Sequence, residues 1–174
     1  MLKGRASSVF RVPSRRAIYA GLDIELRIVR SKYAACCEMA RKTSQDKRAF
    51  ALQSFYIFDK IASVDRFLRS NRDCVASVRE THPELAFYYM NDCAPVLSSK
   101  KSKKGIAARC RLLKNAGISN DVIAAPTPTG AKRDDVIDSL ACLVTARRIG
   151  KNLAKRHPEW DCKDDCGLPI GVWA

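Results

Sequence analysis

No apolar run in this chain approaches the roughly 20 residues that a helix needs to cross a bilayer, so the sequence predicts no membrane partner. No apolar segment of the signal-peptide kind stands near the N-terminus, and the expected compartment is the cytoplasm. Repeats and low-complexity tracts are missing as well, which excludes solenoids and argues against disorder. Acid is scarce, with 18 Asp and Glu against 32 Lys and Arg for a formal net charge of +14. Residues 1–22 hold none, and Lys3, Arg5, Arg11, Arg15 and Arg16 there faintly suggest a transit peptide. A resemblance given below accounts for that stretch better. Residues 98–114 also lack acid while carrying Lys100, Lys101, Lys103, Lys104, Arg109, Arg111 and Lys114.

What is present suits one domain over residues 1–174, with 47% hydrophobic residues to build its core. The surplus of positive charge favours a polyanionic partner, nucleic acid first, although a solvated basic surface without a ligand reads the same from charge alone. Eight cysteines without a secretion signal are most simply free thiols. Cys36, Cys74, Cys110 and Cys142 sit in apolar patterns as core residues. Cys162 and Cys166, with His157, offer three zinc-type ligands, but the spacing fits no common zinc pattern and a fourth ligand is not evident.

Periodicity gives a coarse map. Residues 15–42 are helix-like, and residues 47–70 read as the clearest helix, with Ile57, Ile61, Val64 and Leu68 on one face and Phe50, Phe58 and Phe67 widening it. Residues 74–80 have the length of a buried strand. Pro83 opens a helix over 84–90. Ser98 and Ser99 can cap the basic helix that follows, and residues 120–131 read as a loop through Pro126, Pro128 and Gly130. Residues 133–149 form a strong amphipathic helix, with Val136, Leu140 and Leu143 as its stripe, and the tail ends in a short strand at 170–173.

Two acidic groups carry the chemistry. Glu80 and Glu84 bracket a His82-Pro83 turn at a strand end, where open α/β folds place ligands. Asp134, Asp135 and Asp138 open the 133–149 helix, with Asp134 and Asp138 one turn apart. Carboxylates from separate elements bind Mg2+ or Mn2+ through oxygen, and two such ions can drive phosphodiester hydrolysis. Acids in a first turn also stabilise a helix through its dipole, and for Asp134 alone capping is the simpler reading. Asp138 exceeds what capping needs. His82 serves as a base, a ligand or an anchor of the turn, the last being the simplest reading. Lys100 and Lys101 clamp phosphate, or belong to a solvated helix face.

Six blocks run in order along the chain: Arg5-Ala-Ser-Ser-Val-Phe10 with Pro13; Lys60-Ile61 with Val64-Asp65; Val78-Arg-Glu-Thr-His-Pro-Glu-Leu-Ala-Phe87; Ser99-Lys-Lys-Ser102 with Gly105 and Arg109; Asp134-Asp-Val-Ile-Asp-Ser-Leu-Ala141 with Thr145-Ala-Arg147; and Gly167-Leu-Pro-Ile170 with Trp173. Together they resemble a bacterial and archaeal family of predicted RNase H-like nucleases. The resemblance implies an α/β fold of the RNase H-like kind, helix-rich, with a metal-dependent hydrolase site. It implies Glu80, Glu84, Asp135 and Asp138 as catalytic acids, Glu80, Asp134 and Asp138 as ligands for Mg2+ or Mn2+, and His82, Lys100 and Lys101 as substrate-binding residues. Members of the family begin with an Asp-bearing strand of Val-Asp-Gly type, followed later by an Asp-x-Pro strand, and this sequence contains neither. The expectation is therefore a truncated sheet, an impaired nuclease, and self-association through an exposed sheet edge. The alternative is a non-catalytic basic remnant that binds nucleic acid or protein.

Overall fold

A computed structural model describes residues 13–23, 29–44 and 47–174, which fall into two compact units, 13–76 and 77–174. The chain is α/β and helix-rich, with a small three-stranded sheet. Residues 1–12, with the first block of the resemblance apart from Pro13, lie outside the described residues. Among the described residues, no helix is long and apolar enough to cross a membrane.

The N-terminal unit contains α1 (Arg15–Asp23), α2 (Val29–Thr43), α3 (Leu52–Phe55) and α4 (Phe58–Ser70), with a 3-10 turn at Arg72–Ala76. Its core gathers Ala17, Ile18, Cys36, Cys37, Phe50, Phe58 and Ala62. Gly21 suits this packing, since a Cβ there would stand 2.6 Å from the Cys36 Sγ and would force that side chain to shift.

The single helix expected over 47–70 is divided here, and the chain is not helical from Lys47 to Ala51. The face of α4 that packs is also not the expected one. Phe58 and Ala62 are buried, whereas Ile57, Val64 and Phe67 are 41%, 52% and 50% exposed. The small Ala62 lets α1 approach, and Asp65 continues this face, paired with Arg15 of α1. A polar contact thus takes the place that apolar periodicity assigned to Val64.

The C-terminal unit contains β1 (Glu80–Thr81), α5 (Pro83–Met90), α6 (Lys103–Asn115), α7 (Asn120–Ala124), α8 (Arg133–Gly150), β2 (Arg156–His157) and β3 (Val172–Trp173). The sheet order is β1-β3-β2, with β1 parallel and β2 antiparallel to β3. The strand expected over 74–80 survives only at Glu80–Thr81, because Arg72–Ala76 closes into the 3-10 turn. Residues 120–131, expected as loop, begin with α7, whose Ser119 Oγ accepts the Val122 N–H.

Phe87, Leu113, Ile118, Ile137, Leu140, Ala141 and Val144 form the core of this unit, where α5, α6 and α8 meet. The buried stripe of α8 runs through Ile137, Leu140, Ala141 and Val144, leaving Leu143 41% exposed. Pro83 stands at the first helical position of α5, where its missing N–H costs nothing.

Candidate functional site

The motif residues come from four segments of the C-terminal unit. Glu80 lies on β1, His82 and Glu84 at the start of α5, Lys100 and Lys101 in the loop before α6, and Asp134, Asp135 and Asp138 in the first two turns of α8. The loop before α6 is held tightly. Ser102 caps α6 by accepting the Gly105 N–H at 3.0 Å, and its own Oγ donates to the Ser99 carbonyl at 2.8 Å. A Cβ on Gly105 would lie 1.9 Å from the Ser99 oxygen, so only glycine lets the loop lie on the helix. The cap is thus Ser102, while Ser99 supplies the carbonyl beneath it.

That loop delivers Lys100 to α8. The Lys100 Nζ donates to Asp138 Oδ2 at 2.6 Å, with the lysine side chain 38% and the aspartate 19% exposed. The hydrogen bond to Asp138 raises the Lys100 pKa most, and the charges of Asp138, Asp134 and Glu84 add to it against the opposing effect of burial. One ammonium therefore lies in the field of three carboxylates from two different helices. The other oxygen of Asp138, Oδ1, is buried and accepts no hydrogen bond. A buried carboxylate oxygen without a donor is costly and rare.

Glu84 is held differently. Arg109 Nη2 donates to both of its oxygens at 2.8 Å, and Nε donates to Oε1 at 3.1 Å. Arg109 is 3% exposed, lies over the Phe87 ring, and also donates to the carbonyls of Ser98 and Gly105. It ties Glu84, the Lys100 loop and α6 into one unit. The sequence reading placed Arg109 in the lysine-rich block and gave it no role. The signal was there: Gly105, Arg109 and Leu113 recur every four residues and share one face of α6, all buried.

Asp135 accepts the Lys132 N–H at 2.9 Å through Oδ2. The capping role expected of Asp134 thus falls to Asp135, and Asp134 is left half-buried beside Lys100. Glu80 is exposed by area, yet the atoms crowding its carboxylate strip away enough water to raise its pKa, an effect that neighbouring His82 opposes. The His82 carbonyl accepts the Leu85 and Ala86 N–H groups, starting α5, while its Nδ1 is buried without a partner. Lys101, Lys103, Lys104, Arg111 and Lys114 are exposed.

The donor chemistry here fits a hard divalent ion: the donors are carboxylate oxygens, and Asp138 Oδ1 is free to accept. The spacing is looser. Among the described residues, the group of three His, Cys, Asp or Glu ligand atoms that lie within 4.8 Å of one another is Asp164, Asp165 and Cys166. There Asp164 Oδ1 accepts the N–H groups of Cys166 and Leu168, which closes a turn. The zinc trio does not assemble. His157 Nε2 is hydrogen-bonded to the Tyr89 hydroxyl at 2.6 Å, with the two rings stacked, and the Cys162 thiol is directed to the Ile170 carbonyl.

No curated protein and no solved structure matches this chain. The family described as "Protein of unknown function (DUF429)" matches residues 1–161. That span covers most of the sequence, and the chain belongs to the DUF429 family.

Proposed function

We propose that this protein is a metal-dependent nuclease of the RNase H-like class, acting on phosphodiester bonds at the Glu84–Lys100–Asp134–Asp138 site. The observation that carries the proposal is the meeting of motif residues from α5, the 98–102 loop and α8 around one ammonium, with a buried Asp138 oxygen left free. Core packing does not require three carboxylates in the field of one lysine. Asp138, Asp134 and Glu80 are the residues that would hold Mg2+ or Mn2+, which when bound activates water and stabilises charge on the leaving oxygen.

The chain's own residues bind and orient. Lys101, Lys103 and Lys104 present exposed positive charge beside the α6 N-terminus, where backbone N–H groups also attract phosphate. Arg109 fixes Glu84 in one rotamer through its fork of hydrogen bonds.

A second reading has its own observation. The site acids do not approach to 4.8 Å as a group of three, which favours a basic module that binds nucleic acid without cleaving it. One pair of assays separates the two. Single- and double-stranded DNA and RNA are incubated with Mg2+ or Mn2+, and binding is measured across a salt series. Cleavage that Asp138→Asn abolishes supports the nuclease. Salt-sensitive binding without cleavage supports the binding module, and no binding at low salt sinks both.

A further inference from the structure

Lys100 does not behave as a free phosphate clamp. Its ammonium is half-buried and already engaged, at 2.6 Å, with the carboxylate best placed to take a metal. The loop behind it cannot retreat. Arg109 holds the Ser98 carbonyl at 3.1 Å, Ser102 holds the Ser99 carbonyl, and that carbonyl lies so close over α6 that a Cβ on Gly105 would stand 1.9 Å from it. What remains mobile is the four-carbon lysine stem, which can swing without moving the backbone. Asp138 meanwhile presents a second, buried oxygen that no donor satisfies. One oxygen of the acid is therefore engaged and the other bare, and the cation that engages it is held to it by one hydrogen bond.

We propose that Lys100 is a resident cation at the carboxylate site: it holds Asp138 until a divalent ion displaces it, and the released ammonium then turns to the phosphate of the substrate. The inference rests on the metal-dependent reading above and adds the order of events at that site. A divalent ion and an ammonium on one carboxylate repel each other strongly where water is partly excluded, so the two exclude one another. The fields of Asp134 and Glu84, which favour the ammonium at rest, favour a divalent ion more, because attraction scales with charge.

The test is Mn2+ binding by calorimetry on the full chain, with no substrate present. Lys100→Met removes the competitor, and Mn2+ should bind about tenfold tighter than to the wild type, a change of about 1.4 kcal/mol. Lys100→Gln, which keeps a donor for Asp138 but no charge, reads the same quantity should the methionine variant fold poorly. Lys100→Arg keeps the charge and should leave the affinity at or below the wild-type value. Adding Asp138→Asn to Lys100→Met should abolish the gain. A neutral variant that binds Mn2+ no tighter than a wild type that does bind it overturns the exchange and leaves the nuclease reading standing. Failure of every form to bind Mn2+ at millimolar concentration overturns the metal site, and the exchange with it.

Discussion

Each compact unit holds a partly buried aspartate paired to a cation, and the two are satisfied very differently. In the N-terminal unit, Asp65 Oδ1 accepts from Arg15 Nε at 3.0 Å and Nη2 at 2.9 Å, while Oδ2 accepts from the Tyr19 hydroxyl at 2.7 Å and pairs with Arg69 at 3.0 Å. In the C-terminal unit, Asp138 has Lys100 on one oxygen and nothing on the other. Burial alone would push the Asp65 carboxyl up, but the hydrogen bonds from Arg15 and Tyr19 and the charges of Arg15 and Arg69 outweigh it and hold the pKa below the usual range. An acid saturated by two guanidinium groups and a phenol locks α1 to α4 and has no capacity left for a ligand. An acid with a single ion-pair partner and one bare oxygen is not saturated.

The comparison breaks most completely if the Lys100 loop is lifted from α6. Gly105→Ala should destabilise the C-terminal unit by roughly 3 kcal/mol, because the added Cβ meets rigid backbone at 1.9 Å. Both tryptophans, Trp160 and Trp173, lie in that unit, so urea unfolding followed by their fluorescence reads it directly. A loss below about 0.5 kcal/mol would mean that the loop yields, and the account of Lys100 as fixed in place would fail.

Next in size is the buried arginine. Arg109→Leu removes three hydrogen bonds to Glu84 and two to backbone carbonyls, and should cost about 2–4 kcal/mol. Adding Glu84→Gln should recover part of this, since the stranded charge goes with it. A double-mutant cycle measures the recovery. Strict additivity would show that Arg109 acts through its backbone contacts alone.

The paired aspartates themselves sharpen the contrast. Asp65→Asn should cost about 1–2 kcal/mol, read by far-UV circular dichroism, because it weakens four satisfied contacts. Asp138→Asn should cost less, about 0.5 kcal/mol, because it weakens a single, partly exposed ion pair. Residues kept at some expense to stability are characteristic of functional sites. Equal costs at the two positions would remove the distinction.

Much of this was legible in the sequence, and the exceptions share a cause. Pro83 at a first helical position and the apolar period of 133–149 placed α5 and α8. β2 was invisible because Arg156 and His157 are strand only through pairing with Trp173 and Val172, a contact that no local pattern encodes. The face of α4 was misread because charged Asp65 and small Ala62, rather than the larger Val64 and Phe67, turn toward α1. At the candidate site, the ordered motifs singled out the acids, but not which cation each would meet. Arg109 and Lys100 fall in one basic block of residues 98–114, yet the first is 3% exposed and the side chain of the second 38%. Tertiary packing sets the buried guanidinium apart from the partly exposed ammonium.

The smallest effect separates acids by sign rather than by size. Asp65 has a lowered pKa in the folded protein, so its contribution to stability is present above the unfolded value of about 3.9 and is lost as pH falls through the lower folded value. Glu80 has a raised pKa, so its contribution is present below the unfolded value of about 4.3 and is lost as pH rises through the higher folded value. Between pH 3 and 7, Glu80→Gln should therefore remove a fall in stability on the rising side. Asp65→Asn should remove a loss confined to pH below about 4. Urea unfolding at half-unit pH steps reads both, by tryptophan fluorescence for Glu80 and circular dichroism for Asp65. Glu80 is exposed by area, so its slope will be shallow, but its sign is fixed by the crowding of its carboxylate. If Glu80→Gln leaves the profile unchanged, the carboxylate is fully hydrated and the opposition of sign between the two acids is lost.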